Sequence, residues 1–180
     1  MIMKTILINL YEKIRQKFHQ DPVERLRAGG AEIGENVHIY DGGGSSIDYS
    51  FCFLLKIGDN VTISNSTLLL HDASIKKELD YIKIGKITIG SNVFIGAGSI
   101  ILPNVNIGNK VIIGAGSVVS KDIPDNSVAV GSPVRVIGTY DAYMDKYRER
   151  IESHPCFRES EVQDEKELIR NEIKDWGFIN

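Results

Sequence analysis

Ile89-Gly90-Ser91-Asn92-Val93-Phe94 is followed by Ile95-Gly96-Ala97-Gly98-Ser99-Ile100, Ile101-Leu102-Pro103-Asn104-Val105-Asn106, Ile107-Gly108-Asn109-Lys110-Val111-Ile112 and Ile113-Gly114-Ala115-Gly116-Ser117-Val118. An aliphatic residue recurs every six positions from Ile89 to Val119, and glycine follows it at Gly90, Gly96, Gly108 and Gly114. Self-similarity at a fixed short period marks a repeat architecture. Val93 and Ile95 are two apart, so on a strand both point inward and Phe94 points out. The pairs Val105/Ile107 and Val111/Ile113 repeat this. The glycine marks the corner where a side chain would obstruct the turn. Each hexad is therefore a short strand plus a corner, and three corners close a triangular turn. Stacked turns pair as parallel strands ~4.8 Å apart around an aliphatic interior. A helix is the poorer reading: six does not fit a period of 3.6, and Gly, Val and Ile displace helix formers.

The frame extends upstream. The coil begins at Ile33-Gly34-Glu35-Asn36-Val37-His38, with Ile39 in frame, and resumes at Ile57-Gly58-Asp59-Asn60-Val61-Thr62, then Ile63 and Leu69. Between these lies the irregular stretch Asp41–Ser46, with three glycines and two serines. It reads equally as a degenerate corner or as backbone left bare for a ligand. Phe51 and Phe53 read as core. The frame breaks by two residues between His71 and Thr88, where polar and charged residues dominate, so an external loop is expected there. Ile82, Ile84 and Ile87 hint that part of it forms a strand.

The flanks read as helices. Over 2–18, Ile6, Leu10, Ile14 and Phe18 recur at a spacing of four. Asp21-Pro22 opens a second short helix, with Asp as N-cap, Pro at the first position and Gly29-Gly30 as the stop. Such elements are expected to cover the open end of a stacked coil. After the coil, Thr139–Glu152 reads as a helix ended by His154-Pro155. A further helix is expected over about Asp164–Trp176, with Gly177 as its stop. The chain thus divides into an N-terminal helical cap (1–30), the coil (31–138, with its loop at about 72–88) and a C-terminal helical extension (139–180).

Composition narrows the classes. The chain has 180 residues, a formal net charge of −3 and a pI near 5.8. No general basic field invites nucleic acid or an anionic membrane. Cys52 and Cys156 lie far apart with no C-x-x-C, which argues against a disulfide framework or thiolate metal site and fits a reducing cytoplasm. The apolar run Thr5–Leu10 is short for a signal-peptide core, and no stretch approaches a membrane span. A cytoplasmic protein making no membrane contact is the expectation.

The hexads, together with Ser120-Lys121-Asp122-Ile123-Pro124 and Gly131-Ser132-Pro133-Val134-Arg135, resemble the hexapeptide-repeat acyltransferases over roughly residues 24–138. The likeness is closest to the sugar O-acetyltransferases of the galactoside, maltose, xenobiotic, capsule and O-antigen types. It implies a β-class fold, a left-handed parallel β-helix, against the right-handed rule for crossovers. It also implies a homotrimer and acetyl-CoA as acyl donor, with no tightly bound cofactor. The pantetheine arm would lie between subunits against Gly96, Ala97 and Ala115, with Ser120, Lys121 and Arg135 toward the CoA phosphates. Cations with several donors suit phosphate. Ala97 stands where several relatives carry serine, and Phe94 where many carry tryptophan. The Ala97 amide is also a candidate for the oxyanion.

The family's active-site histidine begins a loop a few tens of residues before the strongest hexads, and His71-Asp72 matches that position. Transfer of an acyl group from a thioester to an alcohol requires a base for the hydroxyl proton, and histidine is suited to this near neutral pH. Asp72 or another carboxylate is expected to orient the imidazole. His38 falls on an outward position, and His19 and His154 lie outside the coil. Zinc needs three or four ligands. The γ-class carbonic anhydrases, which share the coil, use three histidines, whereas this coil offers only His38 and His71, so no metal is expected. The carbohydrate acceptor has weaker candidates: Asp41, Ser45, Ser46 and Asp72. The primary reading is O-acetylation of a carbohydrate hydroxyl, with a surface-polysaccharide precursor favoured. An N-acetyltransferase of a nucleotide-linked amino sugar, an antibiotic acetyltransferase and a non-catalytic trimeric scaffold stay open.

Overall fold

The computed structural model describes residues 21–40, 47–162 and 164–180. The helix expected over 2–18 lies outside the described residues, as does the stretch 41–46. The chain separates into two units, one ending at Gly138 and one running from Thr139 to Asn180.

The first unit is a three-faced parallel coil. One face orders β1 (Glu32–Ile33), β3 (Leu55–Ile57), β8 (Ile87–Ile89) and β11 (Val105–Ile107). A second orders β5 (Thr67–Leu68), β10 (Ile100–Ile101) and β13 (Val118–Val119). The third runs β2 (Val37–Tyr40), β4 (Val61–Ser64), β9 (Val93–Ile95), β12 (Val111–Ile113), β14 (Ser127–Val130) and β15 (Arg135–Gly138). Within these three faces the pairings are parallel except β14 with β15. In the regular turns partners lie eighteen residues apart, as in Val93 with Val111, Ile100 with Val118 and Ile87 with Val105. This is three hexads per turn. Like residues stack in columns along the axis. Ile63, Ile95, Ile113 and Ala129 form one, and Leu68, Ile101 and Val119 another, all fully buried.

The hexad signature Ile-Gly-x-Asn has a specific cause at the corner between the first and third faces. The residue at x accepts, through its side-chain oxygen, the amide N–H of the corresponding residue one turn earlier. Asp59 takes the amide of Glu35, Ser91 that of Asp59, Asn109 that of Ser91 and Asp125 that of Asn109, at 2.7–3.0 Å. The ladder satisfies corner amides that no strand partner reaches. The next position bends the chain through positive φ: Asn36, Asn60, Asn92, Lys110 and Asn126 all lie at 52–60°. Asparagine tolerates this region better than other side chains. The glycine is required by stacking distance, because a Cβ on Gly90 would sit 2.6 Å from the Gly108 carbonyl oxygen. Both neighbours are backbone within hydrogen-bonded rungs. Gly90→Ala is therefore expected to destabilise the coil by about 1–3 kcal/mol, read as a lowered midpoint in chemical unfolding. An unchanged midpoint would mean that the stack yields there.

Two departures from the expected frame occur. The strand after Ile63 presents Leu68 and Leu70, not Leu69, to the interior. One residue is missing at the preceding corner compared with the turn that follows it. Asn65 turns there at φ 38°, and Ser66 Oγ donates to the Gly96 carbonyl oxygen from the buried position. Phe53 is not core but 58% exposed, because it lies in a 3-10 segment, Tyr49–Leu54, that bulges from the coil.

Both ends of the coil are closed. At the N-terminal end α1 (Pro22–Ala28) is capped by the Asp21 carboxylate, which accepts from Val23 N–H, and buries Leu26 against the core. At the other end the chain turns at Gly131–Pro133 and β15 adds antiparallel to the edge of β14, with Val134 buried. An antiparallel strand cannot continue the coil. The excursion at 72–88 is a hairpin. β6 (His71–Asp72) pairs antiparallel with β7 (Lys83–Ile84), and α2 (Lys76–Leu79) lies between them.

In the second unit α3 (Tyr140–Ser153) is capped by Thr139 Oγ1 and ends at His154. The following helix, α4 (Lys166–Glu172), is shorter than the expected Asp164–Trp176. It stops where Ile173 turns extended and its side chain packs over Gly177, so glycine serves here as a contact surface and not as the cap. The short strands β16 (Cys156–Phe157) and β17 (Phe178–Ile179) pair in parallel.

Candidate active site

His71 stands where the hairpin leaves the coil, one residue past the buried Leu70. Its Nδ1 is hydrogen-bonded to Oδ2 of Asp48. The Asp48 side chain is 8% exposed, against 38% for His71, so the carboxylate is screened while the imidazole reaches solvent. The coil fixes Asp48 through its backbone: Ile47 bridges Leu68, and Asp48 N–H donates to the Leu68 carbonyl oxygen at 3.1 Å. The Phe51 ring lies 5.1 Å from the imidazole, centroid to centroid, and limits its rotation from a second side. A carboxylate on Nδ1 selects the tautomer with the proton there and leaves Nε2 as the basic nitrogen.

Asp72 is committed elsewhere. It pairs with Lys83 at 2.5 Å across the hairpin and accepts from Ser74 N–H at 2.7 Å. These contacts, Lys83 first, hold its carboxyl down at about 2. Of the two carboxylates open to orient the imidazole, Asp48 is the one in contact. Nothing in the repeat pattern pointed to it. The only signal was an aspartate beside the glycine-serine stretch that interrupts the frame. Asp41, Ser45 and Ser46 lie outside the described residues.

The remaining candidates are ordered by the second face. The corner before each of its strands carries Gly96-Ala97 and, one turn on, Ala115. Both alanines are exposed, and Gly116 N–H donates to the Ala97 carbonyl oxygen at 2.9 Å. Gly96 admits no side chain, since a Cβ would meet the Ala115 amide nitrogen at 2.6 Å. The opposite edge carries His71 after β5 and the exposed Ser120 and Lys121 after β13, two rungs away, which is roughly 10 Å along the axis. Val134 N–H donates to the Val118 carbonyl oxygen, and the exposed Arg135 then pairs with Val130, level with Gly114, so it stands by the small-residue corner and not beside Lys121. The structure thus borders one face with the small-residue corner on one side and the histidine and Lys121 on the other.

Among the described residues no other nucleophile or metal arrangement emerges. Ser153, His154 and Asp175 have the residue types of a hydrolytic triad. However, His154 Nδ1 faces the Arg150 carbonyl oxygen at 2.7 Å and must carry a proton, so it cannot deprotonate Ser153. Burial pushes the Cys52 thiol up, and its Sγ donates to the Gly29 carbonyl oxygen. His38 is exposed and bonded to Asn36 Oδ1. Among the described residues no group of three or more His, Cys, Asp or Glu is placed to hold a metal, and no helix is long and apolar enough to cross a membrane.

Known proteins resemble the chain in sequence and in fold. The profile of the family described as bacterial transferase hexapeptide (six repeats) matches residues 86–121. Protein CapG of Staphylococcus aureus is 37% identical over 155 residues, covering 83% of this chain and 86% of its own. The galactoside O-acetyltransferase of Lactococcus lactis is 38% identical, covering 71% and 73%. A solved galactoside acetyltransferase in complex with coenzyme A superposes with a TM-score of 0.55 at 34% identity, covering 74% of this chain and 80% of that one. The chain belongs to the hexapeptide-repeat transferase family. It is an acyltransferase, an acetyltransferase of the kind that includes the sugar O-acetyltransferases.

Proposed function

We propose that this protein transfers an acetyl group from acetyl-CoA to a carbohydrate hydroxyl by direct attack, with His71 as general base and Asp48 as its positioning residue. The observation that carries the reading is the Asp48 carboxylate on Nδ1 of a half-exposed histidine at the base of the hairpin. Nε2 takes the proton of the acceptor hydroxyl as its oxygen attacks the thioester carbonyl. The tetrahedral oxyanion collapses with cleavage of the C–S bond, and the same proton passes to the departing thiolate. The products are the acetyl ester and free CoA thiol. Holding both substrates together replaces a covalent enzyme intermediate.

The donor assignment is supported by the complex of the related galactoside acetyltransferase with coenzyme A. On this reading the left-handed coil assembles as a homotrimer. The pantetheine arm follows the corner of Gly96, Ala97 and Ala115, and the phosphates approach Ser120, Lys121 and Arg135. The Ala97 amide is assigned to the oxyanion. A surface-polysaccharide precursor is the favoured acceptor, acetylated in the cytoplasm. The double variant Lys121→Ala/Arg135→Ala should raise the KM for acetyl-CoA by about tenfold or more with kcat little changed. An unaltered KM would remove both residues from the donor site.

Release of thiol from acetyl-CoA, followed with neutral, acidic and nucleotide-linked sugars, tests the reading as a whole. Acceptor-dependent release is the expected result. Binding of neither acetyl-CoA nor CoA by the protein would overturn it.

A further inference from the structure

On the first face, beside the site, lies a cavity of about 280 Å³ lined by Glu32, Phe53, Leu54, Leu55, Lys56, Lys86 and Thr88. Its floor follows from register. Glu32, Lys56 and Thr88 are partners on adjacent strands β1, β3 and β8, so their side chains leave the coil on the same outward side. Its wall is the 3-10 bulge, which carries Phe53 at the surface. Phe53 leaves 58% of its surface exposed at the edge of this polar cleft.

The cavity is linked to the site by aromatic rings. Phe53 lies 6.3 Å from Phe51, which lies 5.1 Å from His71, centroid to centroid. A sugar chain whose reacting ring stands at His71 can therefore pass Phe51 and set a following ring on Phe53. The charges in the cavity are unequal. Glu32 is matched by Lys56 at 2.9 Å, whose hydrogen bond and charge are the main reason its carboxyl sits below the ordinary range, with Lys86 a further and smaller cause. One carboxylate thus faces two ammonium groups, and Lys86 makes no ion pair among the described residues.

We infer that this cavity is an acceptor subsite for an anionic carbohydrate, in which Phe53 packs on a sugar ring adjacent to the acetylated one and Lys86 binds that ring's negative group. The inference rests on the proposed reaction and narrows its substrate class to chains carrying a uronate or a phosphate. Phenylalanine offers an apolar face to the C–H face of a pyranose, and a lysine at the rim supplies a charge-assisted hydrogen bond to carboxylate or phosphate oxygen. Thr88 adds a hydroxyl able to donate or accept.

The test is binding in the presence of saturating CoA, measured by titration calorimetry with cellobiose, cellobiouronic acid and cellobiose 1-phosphate. The two acidic disaccharides separate the carboxylate and phosphate sources. At least one should bind about tenfold more tightly than cellobiose, and Lys86→Ala should abolish that difference while leaving CoA affinity unchanged. Phe53→Ala should weaken all three. Equal affinities, no binding of any of them, or a preference that survives Lys86→Ala would overturn the subsite. Because thiol release with any acceptor is scored separately, a failed subsite leaves the acetyltransfer reading standing. Failure of CoA to bind identifies the opposite case.

Discussion

His71→Ala is expected to lower the acetyl-transfer rate by about 10²- to 10⁴-fold, the contribution typical of a positioned general base. The loss should fall on kcat, because the imidazole handles the proton only as the acceptor oxygen attacks. The KM for acetyl-CoA should hardly change, since the small-residue corner lies across the face from His71 and Lys121 lies two rungs away along the same edge. Folding should also survive. His71 is half-exposed, and its contacts are Asp48, the Phe51 ring and the hairpin pairing with Ile84. Asp48→Asn should give a smaller loss of the same kind. An amide on Nδ1 no longer enforces the productive tautomer and supplies no charge to the imidazolium that forms. Steady-state thiol release for wild type and both variants, with matched thermal unfolding, reads all of this. A His71→Ala protein of normal rate would dismiss the assignment. A full-rate Asp48→Asn protein would leave His71 in place but deny the carboxylate its role.

Ile95→Ala should cost about 2–5 kcal/mol of stability, near the upper end of single-residue effects. Ile95 is fully buried, with Ile63 on one rung and Ile113 on the next. Both neighbouring strands are held by their own ladders, so the walls cannot move in to fill the space left by three carbons. Ile39, half-buried on the first rung of the same column, has a strand partner on one side among the described residues and should cost less. Urea unfolding at a single fixed protein concentration compares the two, since association would shift the apparent values. Equal costs at the two positions would mean that the coil relaxes around a cavity as a looser core does.

The regular part of the fold was open to reading before any coordinates. The inward pairs, the glycine corners, the eighteen-residue turn and an excursion between His71 and Thr88 all follow from local spacing, whereas the pairing of His71 with Ile84 across that excursion does not. The errors cluster where the chain leaves the repeat. Leu69 was placed inward because the period was carried through the corner at Asn65, which is one residue shorter than the corners after it. Phe53 was counted as core because its composition matched the interior, but the bulge that carries it has no rung to join. The expected helix over Asp164–Trp176 shrank to Lys166–Glu172 because Gly177 packs against Ile173 and does not terminate the helix.

The sequence by itself determined the coil, because a period of six imposes the same inward, outward and corner assignments on each turn, and stacking identical turns leaves little choice of register. It also placed His71 at the start of the break in that period, and the resemblance to the acyltransferases made that histidine the candidate base. Only the tertiary structure decided which carboxylate serves His71 and what stands beside it. Asp48 and His71 are separated by 23 positions in a part of the chain where two departures from the repeat cancel any simple count. Asp72, adjacent in sequence, is drawn away by Lys83 across the hairpin. Contacts within the repeat depend on local spacing. Contacts between departures from it depend on how far each one displaces the chain, and that is settled only when the turns are stacked.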